Sequence, residues 1–240
     1  MSKTYAALKR AEEERHGARP SANGGNGTDR RGAPNADPPS PAHLEYEKIR
    51  VWLKNPAQRE QRIQAVMVVA CHSGAGASTT AALLATTLAE GKRSRVVLID
   101  TNFRTPGPNF FFRTEEEGET ALLPADELPF AARLQRTDRE NLFVLKCDQL
   151  PGCPLEVFEG DEIIDLIAET KKGFDFVVFD APPVLDYPDS YALASKVDGI
   201  ILVAESERTL IEDAQRAKRD LERAGGKVLG VVLNRHVSYL

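Results

Sequence analysis

A doubly wound α/β fold, a mainly parallel sheet with helices on both faces, is the architecture this sequence predicts. Three observations carry the prediction. Apolar, β-branched runs recur without the polar alternation of a half-solvated strand, as expected where both strand faces are buried. Helical stretches separate most of these runs, the alternation typical of parallel sheets. The first run passes through a turn of small residues straight into a helix, and ligands of such sheets gather at the strands' carboxyl ends.

The elements follow in order along the 240 residues, a length that suits one domain with appendages. Ser2 caps a short helix reaching about Arg15, with Tyr5, Leu8 and Ala11 at helical spacing. It is too short to stand alone and reads as a tethered docking peptide or a fraying end. Residues 17–41 are rich in Gly, Pro, Asn and Asp and nearly lack aliphatics, so burial cannot offset their ordering entropy. The expected organisation is therefore a short helix over 1–16, a flexible linker over 17–41 and a globular domain over 42–240. That domain opens with a helix carrying Leu44, Ile49, Trp52 and Leu53, stopped by Asn55-Pro56.

Strands are predicted at 65–71 (AVMVVAC), 95–100 (RVVLID), 142–146, 175–180 (DFVVFD), 199–204 and 228–233. The helix at 78–91 ends in Gly91. Further helices are expected at 161–172, 190–196 and 208–224. Residues 105–141 mix turns, aromatics and an acidic run, and there Phe110, Phe111 and Phe112 read as core or subunit contacts.

Composition narrows the function classes. Three cysteines, Cys71, Cys147 and Cys153, have no spacing of a zinc site or a disulfide framework, and the amino terminus lacks an apolar signal core. A reducing, cytoplasmic setting is expected. No run approaches the roughly 18 apolar residues of a membrane span. The net charge of −5 argues against broad electrostatic binding of nucleic acid.

The turn after the first strand reads Cys71-His72-Ser73-Gly74-Ala75-Gly76-Ala77-Ser78-Thr79-Thr80. Small residues let backbone N–H groups and a helix N-terminus face an anion, the context of a phosphate-binding P-loop. Gly74, Gly76, Ser78 and Thr79 are its candidate binding residues. Ala77 occupies the place of the lysine that reaches the β/γ-phosphates. Loss of one charge-assisted hydrogen bond, ~1.5–3 kcal/mol, weakens binding roughly 10- to 150-fold. Loss of a comparable donor in the transition state costs on the order of 10²- to 10³-fold in rate. His72 reads as a solvated loop histidine. Asp100 and Asp180 each end a buried strand, and together with the loop they suit a magnesium site, with Ser78 as hydroxyl ligand and Asp180 holding the metal's water shell. Read singly, each Asp is a residue of a strand-to-loop turn.

These segments resemble the bacterial tyrosine kinases of capsule and exopolysaccharide synthesis, a branch of the deviant-Walker P-loop ATPases. LEYEKIRVWL is similar to the family's first helix, HSGAGASTT to its phosphate loop, VVLIDTNFRTP to its second acidic motif, FDFVVFDAPPVLDYPDS to its Walker B strand and loop, and VLGVVLNR to its closing strand. The resemblance spans 42–240 and implies ATP or ADP with Mg²⁺ as cofactor. It makes Asp100 and Asp180 the catalytic carboxylates, has Asn234 read the adenine edge, and adds Arg235 to the binding set. YAALKRAEEER, followed by a loose linker, resembles the start of free-standing members encoded with export systems.

Departures from the family pattern imply a blunted site. Besides Ala77, Asn102 stands where the family has a second carboxylate, and an amide neither accepts a proton nor carries charge to magnesium. Ala75 replaces a frequent Glu. In the first helix Leu44 and Glu47 replace Glu and Arg of an oligomer-forming motif that keeps Arg50, and the tail offers Tyr239 in place of a tyrosine cluster.

The resemblance thus implies a degenerate, kinase-like regulator that binds nucleotide weakly or not at all. Its implied partner is a membrane-embedded polysaccharide chain-length or export protein, with an intact kinase paralogue or further copies of the chain beside it, at the inner face of the membrane. An active protein-tyrosine autokinase, with Lys92, Arg104 or Arg235 replacing the missing lysine, is the alternative. A partition- or positioning-type ATPase is a further one, although His72 stands where that class needs lysine.

Overall fold

The computed structural model describes residues 41–55, 62–90, 94–103, 112, 132–147 and 154–236. The expected helix over 1–16, residues 17–40 of the linker expected over 17–41, Gly91, Lys92, Arg104, Phe110, Phe111, Cys153 and Tyr239 lie outside them; the last expected linker residue, Pro41, instead opens the first helix. Helix α1 spans Pro41–Lys54, β1 Ala65–Ala70, α2 Ala77–Ala89, β2 Val96–Asp100, β3 Ala132–Arg136 and β4 Leu142–Cys147. After these come α3 Pro154–Glu159, α4 Glu162–Gly173, β5 Phe176–Asp180, α5 Asp189–Ala194, β6 Gly199–Glu205, α6 Ile211–Arg223 and β7 Val228–Asn234.

The strands form one seven-stranded sheet in the order β3-β4-β2-β5-β1-β6-β7. Every pairing is parallel except that of β3 with β4. The sequence reading missed β3 and α3 and began the last helix early, since residues 206–208 form a turn.

Pleating sorts the core into two layers, because successive strand residues point to opposite faces. Met67, Val69, Val97, Ile99, Val177, Phe179 and Leu202 face α4, α5 and α6. Val66, Val68, Leu98, Val178 and Val203 face α1 and α2, where Tyr46, Leu53, Leu84 and Leu88 complete the other layer. The parity has a functional consequence. Asp100 and Asp180 share the even register of Leu98 and Val178, so both project toward the α2 side of the sheet.

Candidate nucleotide site

The chain runs from β1, a central strand, through residues 71–76 into α2. Gly74 has φ 81° and Gly76 has φ 94°. An L side chain rarely tolerates that left-handed backbone, so glycine lets the chain reverse and begin a helix within a few residues. The first helical bond runs from the Thr80 amide to the Gly76 carbonyl at 3.0 Å. Amides preceding it lie at a helix N-terminus, where intrahelical acceptors are absent and the dipole favours an anion. The candidate residues Gly74, Gly76, Ser78 and Thr79 all fall on this loop and first turn.

The two strand-end carboxylates meet the loop from the side. Asp100 and Asp180 are register partners on the parallel strands β2 and β5. Asp180 is completely buried, and neither of its carboxylate oxygens has a hydrogen-bond partner. Burial pushes its carboxyl up to about 7; the Ser78 hydroxyl, near but not in hydrogen-bond geometry, opposes the rise, and the charge of Asp100 adds to it. Asp100 is buried and accepts the backbone N–H of Asn102 on Oδ1 at 2.9 Å. Thr101 donates its amide and hydroxyl to the Asp180 carbonyl at 2.9 and 2.7 Å, which fixes how the strand ends emerge.

Two orphaned buried carboxylate oxygens, with a serine hydroxyl and a second carboxylate beside them, form an all-oxygen set. A hard cation such as magnesium fits that chemistry. An unpaired buried charge is costly, and a bound cation is one way to offset it.

The other candidates have different surroundings. Asn234, at the end of β7, donates from Nδ2 to the Ala75 carbonyl at 2.8 Å and so touches the loop itself. A Cβ on Gly76 would lie 2.1 Å from that nitrogen, which makes the second glycine a close-approach position as well as a turn. Arg235 turns instead to Glu205, which also pairs with Arg208 at 3.4 Å. Phe112 packs against the layer under α1 and α2.

His72 is partly solvent-exposed on the loop, as expected from sequence, but its ring is also tied to two carboxylates. Its Nδ1 lies 3.0 Å from Asp186 Oδ1, after β5, and its Nε2 3.1 Å from Asp213 Oδ2, in the first turn of α6. Asp186 Oδ2 also accepts the Ser73 amide at 2.8 Å and the Ser73 hydroxyl at 2.9 Å. Three segments distant in sequence are thus tied at the phosphate loop, and no spacing in the sequence marked Asp186 or Asp213 as partners. Cys71 is buried, which pushes its thiol up to about 11, the charge of Asp213 assisting.

No family model matches the chain. It is 31% identical over 199 residues to the tyrosine-protein kinase YwqD of Bacillus subtilis strain 168, a match covering 82% of this chain and 83% of that one. The chain belongs to the bacterial tyrosine-protein kinase family. Among solved structures, the chimerical protein CapA2B2 superposes with a TM-score of 0.70 at 24% identity, over 83% of this chain and 87% of that one. The septum site-determining protein MinD of Pyrococcus horikoshii, complexed with Mg-ADP, reaches a TM-score of 0.56 at 20% identity, over 72% and 70%. Both likenesses speak for the P-loop NTPase fold. Ala77 is the first residue of α2.

Proposed function

We propose that the chain is a degenerate tyrosine-kinase-like P-loop protein that regulates capsule or exopolysaccharide synthesis or export through a membrane-embedded partner. The observation carrying the reading is an intact cradle without its cation: Gly74 and Gly76 in the required backbone, Asp180 poised beside Ser78, and alanine at position 77. Magnesium, when bound with nucleotide, would neutralise phosphate charge. Ser78 and Asp180 are the residues to hold it, and the amides at the start of α2 are those to orient the phosphates. With no lysine at 77, the amides and the helix dipole act alone, which supports weak occupancy and poorer still turnover. Asn102 weakens base and metal chemistry independently.

Among the described residues no helix is long and apolar enough to cross a membrane. Under this reading contact with the bilayer runs through the partner, a chain-length or export protein. An intact kinase paralogue would supply chemistry that the degenerate site lacks, and further copies of this chain would assemble beside it.

The preserved Asp100 and Asp180 pair supports the alternative of an active autokinase completed by another cation. Calorimetric titration of the full chain with Mg-ATP and Mg-ADP separates the two, with an Ala77→Lys, Asn102→Asp double variant as control. Binding by the variant alone at millimolar nucleotide supports the degenerate reading. Tight native binding with turnover defeats it.

A further inference from the structure

On the outer side of α1 and α2, at the end of α2 opposite the phosphate loop, three ligand-bearing side chains converge. His43 and Glu47 stand one helical turn apart on α1 and so share a face. Glu90 caps the C-terminus of α2 and approaches them from the neighbouring helix. The 13 residues of α2 place this cluster about 20 Å from the loop at about 1.5 Å rise per residue.

His43 Nε2 lies 3.7 Å from Glu47 Oε1 and 3.6 Å from Glu90 Oε2. One ligand atom from each residue falls within 4.8 Å of the other two. Both Nε2–oxygen distances exceed a hydrogen bond. They approach the edge of a tetrahedral site instead: bonds of about 2.0–2.1 Å to a central zinc put neighbouring ligand atoms about 3.4 Å apart. The two edges from His43 exceed that spacing by only about 0.2–0.3 Å, and the Glu47–Glu90 edge lies within 4.8 Å. Glu47 keeps its other oxygen on Arg50, the kind of hydrogen bond that commonly orients a carboxylate ligand.

Charge supplies a second argument. The carbonyls at a helix C-terminus carry partial negative charge, and a cation there is favourable. The last turn of α2 has no basic residue, and Glu90 adds a negative charge at that end, with Glu47 opposite. The side chains are 34%, 28% and 43% exposed for His43, Glu47 and Glu90, open enough for an ion and a water molecule in the fourth position.

We propose that His43, Glu47 and Glu90 form a binding site for a divalent transition metal of the zinc class, one that staples the leading helix α1 to the end of the phosphate-loop helix α2. One imidazole and two carboxylates suit zinc or cobalt better than magnesium, which prefers oxygen alone. The metal crosslinks two helices whose packing buries Tyr46 and Leu53, and it stabilises the folded chain by mass action.

The test is calorimetric titration of the metal-stripped full chain with Zn²⁺, paired with Co²⁺ absorption and with thermal melts, for the native chain, His43→Ala and Glu90→Gln. Expected are one saturable Zn²⁺ equivalent in the native chain and a tetrahedral Co²⁺ spectrum without thiolate charge transfer. A metal-dependent rise in melting temperature is also expected. Each variant should weaken affinity at least ~10-fold and lose that rise, while melting like the native chain in chelator. Unchanged affinity in both variants, a thiolate signature, or no saturable binding each overturns the proposal. A variant that melts early in chelator is read by Glu47→Gln, whose affinity must fall in the same way for the proposal to stand.

Discussion

His72 and Asp186 are joined at 3.0 Å, imidazole Nδ1 to carboxylate Oδ1, across the opening where the phosphate loop leaves the sheet. Because Asp213 meets the opposite ring nitrogen at 3.1 Å, both nitrogens face carboxylates and the ring is best satisfied as a doubly donating imidazolium. The bond to Asp186 raises the His72 pKa first of all; partial burial opposes it, and Asp213 adds to the rise. For Asp186, desolvation works upward, but hydrogen bonds from His72 and Ser73 hold the carboxyl below its ordinary value.

The sign of the resulting pH dependence is fixed. A histidine raised on folding stabilises the fold fully below its unfolded pKa of about 6.5 and loses that contribution as pH rises through the folded value. The depressed Asp186 contributes above its unfolded value and loses that as pH falls. The tie is therefore strongest between about pH 4.5 and 6.5. His72→Asn should lower the melting temperature by about 2–4 °C in that window, the effect of about 1 kcal/mol from exposed pairs in a domain of this size. The gap should narrow as pH rises through the folded pKa of His72. A gap that is constant with pH would show that charge on His72 is not what holds the loop.

Asp180 titrates with the same sign for a different reason. Its carboxyl goes from 3.8 to about 7 because burial disfavours the charged form. Held ionised at pH 8, it destabilises the fold by on the order of 4 kcal/mol. Asp180→Asn should stabilise the chain at pH 8 toward that limit. The gain should shrink to about two fifths at pH 5, where the folded carboxyl is protonated while the unfolded one is not. Urea unfolding at the two pH values measures this, and a loss of stability at pH 8 would mean that a cationic or hydrogen-bonding group pairs with the carboxylate.

Gly76 and Asn234 can be tested as a pair. Alanine at 76 meets a left-handed backbone, a strain of about 1–3 kcal/mol, and its Cβ also displaces the Asn234 amide from the Ala75 carbonyl. Asn234→Ala alone should cost about 0.5–1.5 kcal/mol. In that background Gly76→Ala should cost less than in the native chain, since the collision is gone while the strain remains. Equal costs in both backgrounds, read from denaturation midpoints, would place Asn234 away from the loop in solution.

Much of this architecture was legible because buried parallel strands announce themselves. Val66 to Val69, Val96 to Ile99 and Val177 to Phe179 leave no polar alternation to interpret, and the small residues after Ala70 leave only a tight turn. The missed strand β3 reads ARLQR and is an antiparallel edge strand in which Leu134 is buried while Gln135 and Arg136 are not. The helix α3 is six residues long, too short for a period to show. The His72 tie was invisible for another reason: its partners lie 114 and 141 residues away, and only the crossovers that order the sheet bring them together.

The proposed degeneracy of the site makes separable predictions for positions 77 and 102. Lysine at position 77, the first residue of α2, adds a charge-assisted contact to bound phosphate, so Ala77→Lys alone should tighten Mg-ATP binding roughly 10- to 150-fold. Asn102 follows Thr101, whose amide and hydroxyl are anchored to the Asp180 carbonyl, and its own amide is held by Asp100, so its side chain starts from a fixed backbone beside both carboxylates. Asn102→Asp alone should change affinity little, because a further carboxylate near Asp100 and Asp180 repels phosphate unless magnesium accompanies it. Turnover should need both changes: lysine for charge developing in the transition state, worth on the order of 10²- to 10³-fold, and the carboxylate for proton and metal handling. Single-turnover assays with phosphotyrosine detection on the four chains of this cycle check the scheme. If Ala77→Lys gains full activity by itself, Asn102 is no lesion; if the double variant binds Mg-ATP tightly and stays inert, the defect lies elsewhere in the chain.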